Sequence, residues 1–340
     1  MLSDIATITK LASYAGAGVC IGLGAIGAAL GEGYTAGLAN QAISQKSERS
    51  GDIIKNMLVG QAIAETAAIF ALVVAVLLLF VKMPSDSLLK AASLFGAGIC
   101  MGFGAIGSGV GSGFPGGEAC MGIARQPVMS GRLTTNMLIG SAVCQTPAIF
   151  SMVVALMLMF MDFSKMPLYP TWAALIGAGV STGLAAIGSG FGGGKAAGAS
   201  CEGIARQPES LAQVTTTMLV GQAVSQTPAI FGLLVSFILM FKSFPESAAL
   251  NASMALLGAG ICMGFGGVGP GIGNGLTAES AVKWVARNLK ATGELTRTML
   301  VGQAVSQSTA IYAMVISLVL IFVCLLYTSD AADEEDSVDV

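Results

Sequence analysis

Apolar residues along this chain gather in long blocks rather than alternating or marking one helical face. Ile63–Val81 is one such block, and Met152–Met161 with its flanks is another. Wound as helices at about 1.5 Å per residue, blocks of this length cross the roughly 30 Å hydrocarbon core of a bilayer. They come in pairs: a glycine-rich apolar segment, a short polar stretch, then an apolar segment without the glycines. The pair recurs four times. GQAIAETAAIF at Gly60–Phe70 returns as GSAVCQTPAIF at Gly140–Phe150, GQAVSQTPAIF at Gly221–Phe231 and GQAVSQSTAIY at Gly302–Tyr312, at offsets of 80, 81 and 81 residues. GLGAIG at Gly22 recurs as GFGAIG at Gly102, GLAAIG at Gly183 and GFGGVG at Gly264. The pattern predicts an all-α membrane protein with eight transmembrane helices in four tandem hairpins, 1–85, 86–166, 167–246 and 247–323. Two helices per repeat make the repeats parallel, not inverted. Prolines within Met83–Ser87, Met166–Pro170 and Pro245–Ser247 mark the connections between hairpins.

Composition sharpens this picture. The chain is 54% hydrophobic and 10% charged with mean hydropathy +0.79, which excludes an ordinary soluble domain and a disordered one. It contains no histidine, so the commonest metal ligand and acid–base group is absent. Forty-six glycines in so apolar a chain predict closely packed helices. The seven cysteines show no CxxC spacing, and Cys20, Cys100 and Cys262, at one place in three repeats, are expected to be small packing residues. Gly22–Gly27 matches a dinucleotide fingerprint, but it lies inside a predicted membrane helix, so neither a nucleotide nor a nucleic acid is expected as partner. Residues 324–340 begin CLLYTSDAADE, which reads as an in-frame translation of a sequencing adapter, and they are set aside as an artefact. They hold six of the 19 acids, so 16 basic residues otherwise stand against 13 acidic ones. Ten of those bases fall in the loops within hairpins, at Lys46, Arg49, Lys55, Arg125, Arg132, Arg206, Lys283, Arg287, Lys290 and Arg297. Only Lys10, Lys82, Lys90, Lys165 and Lys242 lie on the opposite side. The excess predicts cytoplasmic hairpin loops, with both termini outside a bacterial inner membrane.

Charge inside a bilayer is costly and marks function. Glu32 lies in the glycine-rich helix of hairpin 1 and Glu65 in its second helix. Each is 16 residues, or roughly 24 Å of helix, from the loop at Glu48–Arg49, so the hairpin brings both to one depth. Two carboxylates there cannot both stay ionised without a cation; they share a proton or hold a metal ion. In the other hairpins Glu65 is replaced by Gln145, Gln226 and Gln307, and Glu32 by Ser112, Gly193 and Asn274. Glutamine keeps the shape and hydrogen bonding of glutamate without the charge, leaving three of four sites electrically silent.

The glycine-rich first helix, the ARQP loop at Ala124–Pro127 and Ala205–Pro208, and the GQA-x-x-E motif of the second helix resemble the c-subunits of F-type ATP synthases. The resemblance covers residues 1–323. It implies a subunit of a membrane rotor (a c-ring) made of copies of this chain, with or without ordinary c-subunits, and no catalysis of its own. It also implies a stator a-subunit with its arginine, and central-stalk subunits gamma and epsilon. Arg125, Gln126, Arg206, Gln207 and Arg287 inherit the stalk-contact role, whereas Gln45-Lys46 in hairpin 1 departs from that motif. In sodium-binding members a neighbouring second helix supplies a backbone carbonyl, a serine hydroxyl and a tyrosine. Only hairpin 4 keeps that set, as Val305, Ser308 and Tyr312, with Thr309 able to hold a water. Hairpin 4 of one chain is therefore expected to complete the Glu32/Glu65 site of the next. Hairpin 2, with Val143, Thr146 and Phe150, is the other candidate, since Pro147 frees the Val143 carbonyl. Oxygen ligands suit Na⁺, with H⁺ as the alternative ion.

One charged site per four hairpins sets the gearing. Synthesis needs about three ions per ATP at roughly 200 mV, and a ring of these chains alone supplies about one. An ATP-driven pump is the expectation. The competing readings are a proton-coupled V- or A-type proteolipid and a secondary transporter of parallel repeats, the latter requiring broken helices and membrane polarity in several repeats.

Overall fold

The computed structural model describes residues 4–82, 87–247 and 250–323. The tail set aside above, and residues 83–86 of the first connection, lie outside them. Among the described residues the chain is helical, with eight segments long and apolar enough to cross a membrane. The helices are α1 (Ile5–Gln45), α2 (Ser50–Phe80), α3 (Leu88–Arg125), α4 (Ser130–Cys144), α5 (Thr146–Phe160), α6 (Leu168–Arg206), α7 (Leu211–Ser225), α8 (Thr227–Phe241), α9 (Leu250–Arg287) and α10 (Thr292–Phe322). Pro170, read above as part of a connection, sits in the first turn of α6, where a missing N–H leaves no helical bond unmade.

Ten helices make eight spans because two are interrupted. The pairs α4–α5 and α7–α8 are each one crossing broken at Gln145 and Gln226. Pro147 and Pro228 stand two residues beyond each break and offer no N–H to the carbonyls of Val143 and Val224. Hairpins 1 and 4 have Ala67 and Thr309 at that place, and α2 and α10 run unbroken.

The glycine-rich helices α1, α3, α6 and α9 stand side by side in chain order as a first layer. The second crossings form another layer, each lying in the groove between its own first helix and that of the following hairpin. So α2 packs on α1 and α3, and α8 on α6 and α9, while α10 has only α9 of the first layer to pack on.

Glycine sets the first-layer spacing at three joints in the same way. A Cβ on Gly109 would lie 2.6 Å from the carbonyl carbon of Gly27; on Gly190, 2.5 Å from that of Gly107; on Gly271, 2.5 Å from that of Gly188. Between layers, small polar groups tie each hairpin. The thiols of Cys20, Cys100 and Cys262 donate to the carbonyls of Ala71, Ser151 and Ala313 at 3.3, 3.4 and 3.5 Å, and in hairpin 3 the Ser181 hydroxyl donates to Gly232 at 3.0 Å. The cysteines are thus packing residues, as expected.

Candidate ion-binding site

Hairpins 2 to 4 show in full what the joint at Glu65 looks like when both sides are present. Gln145 is 6% exposed, and its Nε2 donates to the Ile63 carbonyl of the preceding hairpin at 3.0 Å and to Ser112 Oγ of its own first helix at 2.7 Å. Gln226 repeats the reach across the boundary, Nε2 to the Val143 carbonyl at 3.3 Å. In hairpin 4 the first-helix residue makes it instead. Asn274 Nδ2 donates to Gln307 Oε1 at 2.8 Å and to the Val224 carbonyl at 3.5 Å. Each joint therefore has a side chain at the Glu65 position and a carbonyl from the second crossing of the hairpin before it, and in hairpins 2 and 4 a third part, a side chain at the Glu32 position, where hairpin 3 has Gly193. Two of those carbonyls, Val143 and Val224, are the ones freed by proline.

Hairpin 1 has two of the three parts. Gln61 Nε2 donates to the backbone carbonyl of Glu32 at 3.3 Å, which puts the Glu32 and Glu65 turns of α1 and α2 at one level. Glu32 is partly buried and Glu65 exposed. The third part is not supplied by any other of the described residues. The residues expected to complete the site stand at the other end of the row on α10. Ser308 Oγ donates to the Val305 carbonyl at 2.7 Å and Thr309 Oγ1 to the Ser306 carbonyl at 3.0 Å. Val305 is 69% and Tyr312 66% exposed, whereas their counterparts Ile63 and Phe70, Val143 and Phe150, Val224 and Phe231 are all partly covered. Within one chain the two halves do not meet. The other candidate, hairpin 2, has its Val143 carbonyl committed to Gln226 and lies on the wrong side of the joint.

The glycines at both ends of the row repeat this asymmetry. Gly98, Gly102 and Gly113 crowd the backbone of α1. Their counterparts Gly18, Gly22 and Gly33 have no atom within 4 Å of a built Cβ, and neither does Gly269 at the far end.

The loop residues singled out for stalk contact share one end of the molecule. Arg125, Arg206 and Arg287 are the last residues of α3, α6 and α9. Arg206 pairs with Glu202 at 2.7 Å, and Arg287 lies 4.7 Å from the Trp284 ring centroid. Gln126 and Gln207 follow as the caps of the short turns.

Buried and half-buried charge is not confined to hairpin 1. A shallow cleft lined by first-layer helices holds Tyr34, Glu118, Lys195, Glu202, Glu279 and Lys283. Tyr34 donates to Glu118 at 3.2 Å, and Lys283 pairs with Glu279 at 2.7 Å and Glu202 at 3.7 Å. Lys195, which has no role in the repeat pattern, lies 4.6 Å over the Phe114 ring. Apart from Glu202 and Lys283, which share a column with opposite signs, these charges occupy different columns of the repeat, so aligning the hairpins does not show that they meet.

The model of the family of ATP synthase C-subunits matches the chain four times, at residues 15–78, 95–158, 176–239 and 257–320. The A-type ATP synthase subunit K of Methanocaldococcus jannaschii is 30% identical over 225 residues, covering 66% of this chain and 93% of that protein. Over one hairpin the ATP synthase c-subunit of Petrotoga mobilis is 55% identical, covering 20% of this chain and 70% of its own length. For the ATP synthase c-subunit 2 of Pelobacter propionicus the figures are 50%, 21% and 77%.

Proposed function

Since the chain belongs to the ATP synthase C-subunit family, a multi-pass membrane protein matched along all four hairpins, we propose that it is the ion-carrying rotor component of a rotary ATPase. Copies assemble head to tail so that α10 of one supplies the missing side of the Glu32/Glu65 site of the next. The observation that carries this reading is the joint seen three times within the chain, each time borrowing a carbonyl from the preceding hairpin. Val305 is the next term of that series, and it is exposed beside Ser308 and Tyr312. The open glycines on the two outer edges support the same contact.

At the completed site Na⁺ is the cargo. Glu65 and Glu32 share one proton and one negative charge, the Val305 carbonyl and Ser308 hydroxyl supply hard oxygen ligands, Thr309 holds a water and Tyr312 closes the site from above. The silent hairpins turn with the rotor as neutral spacers, so ATP hydrolysis drives few ions against a steep gradient. The chain itself binds and carries and does not catalyse. Its loops face the cytoplasm, where Arg125, Gln126, Arg206, Gln207 and Arg287 meet the gamma and epsilon subunits of the stalk, and the a-subunit's arginine releases the ion. Carbodiimide labelling of purified membranes tests this, with the modified residue mapped by mass spectrometry and Na⁺ titrated as protector. Labelling at Glu65 or Glu32 that Na⁺ suppresses supports the sodium rotor. Labelling that responds only to pH makes H⁺ the cargo, and no labelling removes the rotor reading. The long match to an A-type subunit K supports an A-type complex as the second assignment.

A further inference from the structure

A second ladder of amides runs one turn away from the first, and it is incomplete at the same place. Gln222 is fully buried, and its Nε2 donates twice: to the Gly193 carbonyl of its own first helix at 3.0 Å and to the Gly140 carbonyl of the preceding hairpin at 2.9 Å. Gln303, also fully buried, does the same with Asn274 at 3.0 Å and Gly221 at 3.0 Å. Each amide spends both N–H groups on backbone carbonyls in two hairpins and locks the joint with two bonds. In hairpin 2 the position is Ser141, whose single hydroxyl hydrogen reaches only the Ser112 carbonyl, at 3.5 Å. The hairpin 1–hairpin 2 joint therefore lacks this lock.

Gln61 is the hairpin 1 member of the ladder. It makes the first bond, to the Glu32 carbonyl at 3.3 Å, and among the described residues its second N–H meets no carbonyl of another hairpin. By the register of Gly140 and Gly221, the matching acceptor is the carbonyl of Gly302. We propose that Gln61 of one copy donates to the Gly302 carbonyl of a second copy and so clamps the two chains together one helical turn from the ion. This rests on the ring assembly proposed above. Gly302 stands three residues before Val305 on α10, and Gln61 four before Glu65 on α2. The clamp therefore holds both halves of the site in register, with the Glu32 main chain pinned between them.

The test compares full-length oligomers purified in detergent and heated at a fixed temperature. Gln61→Met keeps the shape and removes both donors; dissociation is expected to speed up on the order of fivefold, the effect of one net hydrogen bond. Gln303→Met removes the same bridge inside one chain and is expected to leave that rate unchanged. In Gln61→Glu the protonated acid has one O–H to share between the two carbonyls and the carboxylate has none, so dissociation is expected to be faster than wild type at both extremes and faster at high pH than at low pH. A general packing defect would not show that pH dependence. Dissociation rates unchanged in both Gln61 variants, or equal harm from Gln303→Met, overturn the clamp while leaving the ring intact. Failure of the unaltered chain to form an oligomer removes the ring reading and the clamp with it.

Discussion

Gln145 reaches out of its own hairpin to the backbone carbonyl of Ile63 in the hairpin before, 3.0 Å away. That contact puts a neutral N–H donor against an oxygen of the kind a cation would contact in a charged site. The amide mimics the ion-loaded state without needing an ion.

Restoring charge at this joint should therefore create a second site. Gln145→Glu faces the Ile63 carbonyl of hairpin 1 and Ser112 of its own first helix. Carbodiimide labelling is expected to double per chain. Without Na⁺ the protonated acid donates to the Ile63 carbonyl and the ionised acid opposes it, so the fold of the single chain should withstand heat better at about pH 6 than at about pH 9. A labelling yield unchanged from wild type would rule out this account of the silent joints.

Tyr312→Phe copies the Phe70, Phe150 and Phe231 of the other hairpins. The aromatic ring is kept and one hydroxyl is lost. The Na⁺ concentration that half-protects Glu65 from carbodiimide should rise on the order of fivefold. An unchanged value would remove Tyr312 from the site.

Glu65→Gln makes hairpin 1 resemble the other three. Labelling at position 65 and Na⁺-stimulated ATP hydrolysis should both disappear, while oligomers still form. Persistent Na⁺ stimulation would place the ion site elsewhere.

Glycines at the joints and at the edges should respond differently. Gly190→Ala puts a methyl against the Gly107 main chain, which cannot yield as a side chain would, and should destabilise the chain by about 1–3 kcal/mol. Gly33→Val meets nothing within 4 Å in its own chain; the single chain should fold normally and its oligomer should fail. Intact oligomers of Gly33→Val, seen on native gels, would place the contact between copies on another face.

The four hairpins were readable because whole phrases recur at a near-constant offset, and the Glu32/Glu65 pairing because both lie equally far from one turn. The proline that frees Val143 was also legible, but not where that carbonyl goes. Pairwise reading of Pro147 leaves hairpin 1 and hairpin 3 equally open as its partner, and only the order of the two layers selects hairpin 3. The cleft charges escaped for another reason. Lys195 aligns with Phe114 and Tyr34, and Glu118 with Leu38; only Glu202 and Lys283 share a repeat column, and their signs are opposite. Only the side-by-side packing of the first layer gathers them. Lys90 lies on the side opposite the hairpin loops, as read, but not as a free surface charge. It is buried, and its Nζ donates to the carbonyls of Met159 and Met161 at the end of α5.

The position of each joint, always between one hairpin and its predecessor, gives fusion of the four hairpins a further meaning. Three joints close within a single molecule as it folds, and those three are the uncharged ones. In the ring proposed above, the joint that bears the carboxylates is left for a meeting of two molecules. A lone chain in the bilayer would then offer an ion half a coordination shell and no place to rest. Permeation would be withheld until assembly, and the membrane protected from leak by the incompleteness of its own parts.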